Sequence, residues 1–259
     1  MKKIFSILVL LLAVGVMACK GGHESYTGSP QAPDHSSWTT LLSKYVEDNG
    51  LVNYEGFISE KAELENYLEI LSSNAPSESW SENEKLAYWI NAYNAFTVKL
   101  IVDNYPLESI KDLNPTISVP TVNTIWAKEW FQIGGEDFSL DRIEHKILRK
   151  EFNEPRIHFA VNCASISCPV LRAEAYEADK IDRQLDEQTR IFMNDPSRNI
   201  ITKEKVQVSK IFSWFGGDFK KDQTLLEFID RYTREDLNDN AKVRFTKYDW
   251  NLNEVKREN

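Results

Sequence analysis

Ser81-Glu82-Asn83-Glu84-Lys85-Leu86-Ala87-Tyr88-Trp89-Ile90-Asn91-Ala92-Tyr93-Asn94-Ala95-Phe96-Thr97-Val98-Lys99-Leu100-Ile101 reads as a capped helix. The Ser81 hydroxyl is placed to accept from the Glu84 backbone N–H while the Glu84 carboxylate reaches back, a capping box. Leu86, Trp89, Ile90, Tyr93, Phe96, Thr97, Leu100 and Ile101 then recur at helical spacing. Pro106 disfavours the helical conformation at Tyr105, so the helix should stop there. Asn91 and Asn94 are poor helix formers within this aromatic segment. Buried asparagines must be hydrogen-bonded, so they either tie the helix to a neighbouring loop or serve a site, orienting an imidazole or donating to an oxyanion.

Upstream of this helix, Ser36 or Ser37 caps a helix expected through Val46 and stopped near Gly50, and a second is expected from Glu60 to Leu71. Downstream, Trp130–Ile133, Gly134-Gly135 and Glu136–Phe138 predict a hairpin with a two-glycine turn. Ser139 caps a helix to about Lys150, with Asp141 in its positive first turn. Arg156 to Asn162 alternates like a strand, Cys163 to Pro169 is a loop, and Asp179 to Met193 is an amphipathic helix. Ile200-Ile201 and Val206–Val208 suggest a second hairpin, a helix covers roughly Leu225 to Tyr232, and a last strand runs from Val243 towards Trp250. Helices dominate and the strands are short and scattered. The expected class is α+β: a single helix-rich domain with a small antiparallel sheet.

The N-terminus reads as an export signal. Lys2 and Lys3 precede an apolar run from Ile4 to Val16, too short to cross a hydrocarbon core of roughly 20 helical residues. Val16-Met17-Ala18-Cys19 looks like a bacterial lipobox, in which Cys19 is acylated and becomes the new N-terminus; two or more acyl chains would hold the protein on a bilayer. The expected organisation is a signal peptide over 1–18, a flexible tether over 19–37 rich in glycine and proline, and one domain over 38–259. The expected location is extracytoplasmic, membrane-anchored through Cys19, in a bacterial envelope and on its outer membrane. The chain carries 31 basic against 40 acidic residues, a net charge of −9. Loss of Lys2 and Lys3 makes it more acidic still, which excludes nucleic acid as a natural partner. The expected partners are the membrane, through the lipid, and an envelope protein or a small-molecule substrate.

With Cys19 committed to lipid, Cys163 and Cys168 remain, and His145 and His158 lie within two dozen residues of them. A disulfide is one reading, since paired cysteines oxidise outside the cytoplasm. A thiol nucleophile is another: Cys163 needs a nearby imidazole to hold it as thiolate and donors aimed at an oxyanion. On a regular strand, His158 would point away from Cys163, whereas His145 sits one helical turn from Asp141 as an oriented base. Two cysteines and two histidines also have the stoichiometry of tetrahedral zinc, but the two-residue gap of zinc knuckles is absent. The reading carried forward has no metal and no cofactor.

These residues also carry a resemblance. Tyr88–Ala95, Ser139-Leu140-Asp141 with Ile143-Glu144-His145, Arg156–Ala160, Cys163-Ala164-Ser165, Ser167-Cys168-Pro169, Ile211–Trp214, Asp218-Phe219 and Tyr248–Asn253 together resemble the domain of unknown function 547 family. The resemblance covers about Trp38 to Asn253 and implies shared positions at Asn91, Asn94, Glu144, His145, Arg149, Arg156, His158, Cys163 and Cys168. It implies no established activity. It includes intracellular members with the cysteine pair, which weakens a purely oxidative explanation of the pair. The chain order of asparagine, histidine and cysteine also differs from that of papain, so any triad would be rearranged. The expectation taken to the structure is a thiol-dependent hydrolase or acyl transferase in which Cys163 attacks, His145 or His158 takes its proton, and Asn91 or Asn94 orients or stabilises. The alternative is a non-catalytic envelope-binding module stapled by a Cys163–Cys168 disulfide.

Overall fold

The computed structural model describes residues 28–117 and 123–256. The signal peptide, Cys19 and the start of the tether lie outside the described residues. Four helices open the fold: α1 (Ser36–Tyr45), α2 (Tyr54–Ser59), α3 (Lys61–Ser73) and α4 (Glu82–Asn104). The hairpin β1 (Phe131–Ile133) and β2 (Glu136–Phe138) follows, then a π-helical stretch (Arg142–Leu148) that runs into α5 (Arg149–Glu151). A 3-10 turn (Pro155–Phe159) leads through the cysteine loop to α6 (Ile181–Met193). The remaining elements are β3 (Ile200–Ile201), β4 (Lys205–Val208), α7 (Ile211–Trp214), α8 (Gly216–Phe219), α9 (Leu225–Tyr232) and β5 (Lys242–Phe245). The class is α+β.

The capping box on α4 is present as read, with Ser81 accepting from the Glu84 N–H and Glu84 bonding back to the Ser81 N–H. Of its 23 residues, 16 are buried, so α4 is the central post of the core and not a surface helix with one apolar stripe. Trp89 stacks on Phe138 of the hairpin at 5.5 Å between centroids, and Phe96 stacks on Phe131 at 3.8 Å. The hairpin turns through Gly134 (φ +61°) and Gly135 (φ +84°), the two successive left-handed residues that a tight type I′ turn demands.

Two apolar clusters sit side by side. The larger gathers α1 to α4, the β1–β2 hairpin and the π-helical stretch. The smaller gathers Phe192 and Met193 of α6, the β4 valines, Phe212, Phe219 and α9. The 3-10 turn spans the seam, since Ile157 packs in the first cluster and Phe159 in the second. Among the described residues no helix is long and apolar enough to cross a membrane.

Several expectations are corrected. Residues 156–162 do not form a strand: Pro155 supplies the first-turn φ and Glu154 caps the turn by accepting from the Arg156 N–H. The apparent alternation failed because the polar member, His158, is itself buried, so both sides of the segment face protein. Helix α2, capped by Asn53, was not anticipated. The cap of α1 is not a serine: His35 occupies that position, and the Asp34 carboxylate accepts from the Ser36 N–H. Strand β5 stops at Phe245 and pairs parallel to β4, so the second sheet is mixed and not purely antiparallel.

Ser81→Ala removes half of the reciprocal cap and is expected to cost about 1 kcal/mol. Urea denaturation should show a lower midpoint with an unchanged slope.

Candidate functional site

The seam between the clusters carries an irregular, largely buried segment, 160–169, whose backbone polar groups lack the partners a helix or sheet would give them. Asparagines satisfy them. Asn94 donates to the Ala160 carbonyl (2.9 Å) and accepts from the Asn162 N–H (2.8 Å). Asn91 holds Tyr176 in the same manner, donating to its carbonyl (2.8 Å) and accepting from its N–H (2.9 Å). Asn162 then accepts from the Ala164 N–H (2.9 Å) and donates to the Pro169 carbonyl (2.7 Å), closing the loop on itself. Ala164 lies at φ +58°, a left-handed conformation unusual for a residue with a Cβ, directly after Cys163. Asn91 and Asn94 are therefore backbone clamps. The structure gives neither amide an imidazole partner.

The far side of the loop is pinned by the C-terminal segment and by Arg198. Ile166 N–H donates to the Asn251 carbonyl, Ser167 N–H to the Asp249 carbonyl, and Asp249 N–H to the Ser167 hydroxyl. Arg198 donates to the carbonyls of Ile166 and Cys168, both at 2.8 Å. Within this frame Cys163 is partly exposed and Cys168 is buried, and both are free thiols, so the staple of the non-catalytic alternative is not formed.

Cys163 Sγ lies 3.3 Å from the Ser165 hydroxyl and 3.3 Å from the Tyr248 hydroxyl, which are 3.2 Å from each other. The Cys163 backbone N–H points at Cys168 Sγ, 2.9 Å away. The Cys168 thiol, then the two hydroxyls, pull Cys163 down to about 7, against the cost of burying a thiolate. Burial pushes Cys168 the other way, well above the ordinary thiol range. Glu144, in the π-helical stretch, is buried and pushed up to about 8, chiefly by desolvation and next by the negative charge of Cys163, against a hydrogen bond from Tyr93. A carboxyl in that environment is mostly protonated at neutral pH.

The histidines assemble elsewhere. His158 Nε2 lies 2.9 Å from Asp218 Oδ2, which also accepts from Arg149 Nε at 2.6 Å. The His158 ring stacks on Phe215 with 4.0 Å between centroids, and its Nδ1 is buried without a partner. His145 lies 3.2 Å from Arg149 through Nδ1 and 3.7 Å from Asp141 through Nε2, so the Asp141 spacing read from the sequence does place the two together. Burial and the Arg149 charge lower His145 to about 4, and burial lowers His158. Asp218 is held well below the carboxylate range by its bonds to His158 and Arg149, which outweigh its desolvation. It borders a polar cavity of about 430 Å³ lined also by Glu154, Arg156, Lys221 and Arg231. The hydrogen bonds of Cys163 go to Ser165, Tyr248 and Cys168, and neither imidazole joins them. Among the described residues no group of three or more His, Cys, Asp or Glu side chains is gathered to hold a metal ion.

Asn162, Ser165, Asp218 and Tyr248 were not singled out as site residues by chemistry. Asp218 and Tyr248 lie within quoted resemblance motifs, but 55 and 85 positions after Cys163, where sequence spacing gives no sign of contact.

The fold and this geometry define an α+β protein with a partly exposed thiol in an asparagine-clamped loop. Residues 77–193 match a family model described as protein of unknown function, DUF547, which supports a place for the chain in that family. No curated protein and no solved structure matches the chain.

Two outcomes test the frame. Asn94→Ala strands one buried N–H and one buried C=O and should destabilise by roughly 2 kcal/mol or more, read by chemical denaturation. For Glu144, a folded-state value raised from 4.5 to about 8 means that its stabilising contribution is complete at low pH and is lost as pH rises through about 8. Glu144→Gln is thus expected to gain stability relative to the parent progressively between pH 4.5 and 8, measured by thermal melts across that range.

Proposed function

We propose that the protein is an exported, lipid-anchored thiol enzyme in which Cys163 carries out acyl transfer or hydrolysis on an ester or amide. The observation that carries this reading is the triangle of Cys163 Sγ with the Ser165 and Tyr248 hydroxyls, at 3.2–3.3 Å on each side, in a residue that is partly exposed. Once the thiol ionises, both hydroxyls can turn their protons onto the sulfur, which stabilises the nucleophilic form. With Cys163 near 7, a large fraction is thiolate at neutral pH without an adjacent base.

This changes the role given to the histidines. In the proposed step the Cys163 thiolate adds to the carbonyl carbon, the leaving alcohol or amine departs with a proton, and water then releases the acyl group from sulfur. Glu144, protonated at neutral pH and close enough for Cys163 to shift its titration, is the acid for the leaving group. His158, Asp218 and Arg149 form a partly buried network that ties α5, directly after the π-helical stretch carrying Glu144, to α8.

The location rests on the sequence alone. Lys2-Lys3, the short apolar run and Val16-Met17-Ala18-Cys19 support cleavage before Cys19, acylation of its sulfur, and residence on the outer membrane of a bacterial envelope. Its partners there would be the bilayer, through the lipid, and an envelope protein or small-molecule substrate.

The rate of iodoacetamide labelling of Cys163 should rise with pH about a midpoint near 7. Tyr248→Phe should move that midpoint upward. A midpoint at the ordinary thiol value in the parent protein would refute the activated nucleophile. Glu144→Gln should keep the labelling rate while losing roughly 100-fold in turnover of an amide or ester substrate. In cells fed radiolabelled palmitate, Cys19→Ser should abolish incorporation of label, and equal labelling of the variant would end the lipoprotein reading.

A further inference from the structure

We propose that Cys163 and Cys168 form a redox-active dithiol, with Cys163 attacking a disulfide substrate and Cys168 resolving the mixed disulfide. The proposal rests on the reactivity of Cys163 given above and adds an activity that acyl transfer does not require.

A dithiol that exchanges disulfides needs one sulfur that solvent reaches, a second that is sheltered, and a short enough path between them. The loop supplies the shelter and the short path, and it makes Cys163 the more exposed of the two residues. Cys163 is partly exposed, whereas Cys168 is only 4 % exposed. Cys168 Sγ sits 2.9 Å from the Cys163 backbone nitrogen and 3.8 Å from the Val161 carbonyl oxygen. The left-handed residue Ala164 and the Cys168 N–H bond to the Ser165 carbonyl fold the four intervening residues back, which brings the Cys168 sulfur to the Cys163 backbone. The frame is fixed on both sides, by Asn162 bridging Ala164 to Pro169 and by Arg198 holding the carbonyls of Ile166 and Cys168. A merely structural pair has no need of two hydroxyls gathered within 3.3 Å of one of its sulfurs. The lowered titration of Cys163 and the raised titration of Cys168 agree with this division of labour.

The chemistry balances without a further reagent. The Cys163 thiolate attacks one sulfur of a disulfide R–S–S–R, forming Cys163–S–S–R and releasing R–S⁻. Cys168 then attacks the Cys163 sulfur, breaking its bond to R–S and closing the Cys163–Cys168 disulfide. The proton of Cys168 leaves on the second released thiol. The two electrons that reduce the substrate come from the protein dithiol. The substrate class is a disulfide small enough, or exposed enough, to reach a sulfur set between the Tyr248 and Ser165 hydroxyls.

Oxidised glutathione is the probe, applied to the reduced full-length protein, with peptide mapping and intact mass as readouts. The parent protein should close the Cys163–Cys168 bridge without accumulating a glutathione adduct. Cys168→Ser should accumulate glutathione on Cys163, in an adduct that persists at least about tenfold longer than in the parent. Cys163→Ser should do neither. Stable glutathione on Cys163 of the parent, with Cys168 still a free thiol, overturns the resolving role and leaves the nucleophile reading intact. Failure of Cys163 to react with either glutathione disulfide or iodoacetamide overturns both. The parent mapping needs no variant, so a poorly folded substitution does not blunt the test.

Discussion

The structure depends on a rule about buried backbone: an irregular segment that passes through a core must find hydrogen-bond partners that a helix or sheet would supply automatically. The chain from Ala160 to Pro169 is such a segment. Asn94 reaches it from α4, Asn162 bridges its two ends, and Arg198 and the strand-like 249–253 segment close its outer side. The Asn94 and Asn162 bonds are buried, so they are strong and geometrically narrow. The same bonds that make the loop tolerable inside the protein hold Cys163 in a fixed orientation beside Ser165 and Tyr248.

That constraint explains why helices so long and apolar contain asparagine. Asn91 and Asn94 are costly in α4 by propensity alone, yet each satisfies one N–H and one C=O of a neighbouring segment. Their value is in placement, not in proton transfer. The π-helical stretch has a related role. Within Arg142–Leu148 the Glu144 side chain is buried, and α5 directly after it sends Arg149 to Asp218 of α8.

The two sets of titratable groups are segregated, with different physical consequences. Asp218, Arg149 and His158 form a network in which the carboxylate stays ionised and the imidazole stays neutral. Around Cys163 the order is reversed: the carboxyl of Glu144 is kept protonated and the thiol is drawn towards its ionised form. Burial keeps Glu144 protonated and His158 neutral, whereas hydrogen bonds and neighbouring charges overcome burial at Asp218 and Cys163.

The sequence by itself determined the elements whose signals are local. The α4 capping box, the two-glycine hairpin, the α9 helix over Leu225–Tyr232 and the β3–β4 pairing were all legible, because capping and turn chemistry act between residues a few positions apart. The cysteine and histidine cluster was legible as composition. Only the tertiary structure decided which of them meet. His158 looked like a strand residue facing away from Cys163, but a proline-led turn and a carboxylate 60 positions later place it against Asp218. Tyr248, 85 residues beyond Cys163, stands at its sulfur because the C-terminal segment returns to brace the loop. Contacts of that kind leave no periodicity in the chain, since the free energy that selects them comes from satisfying buried polar groups across the fold and not from any local preference.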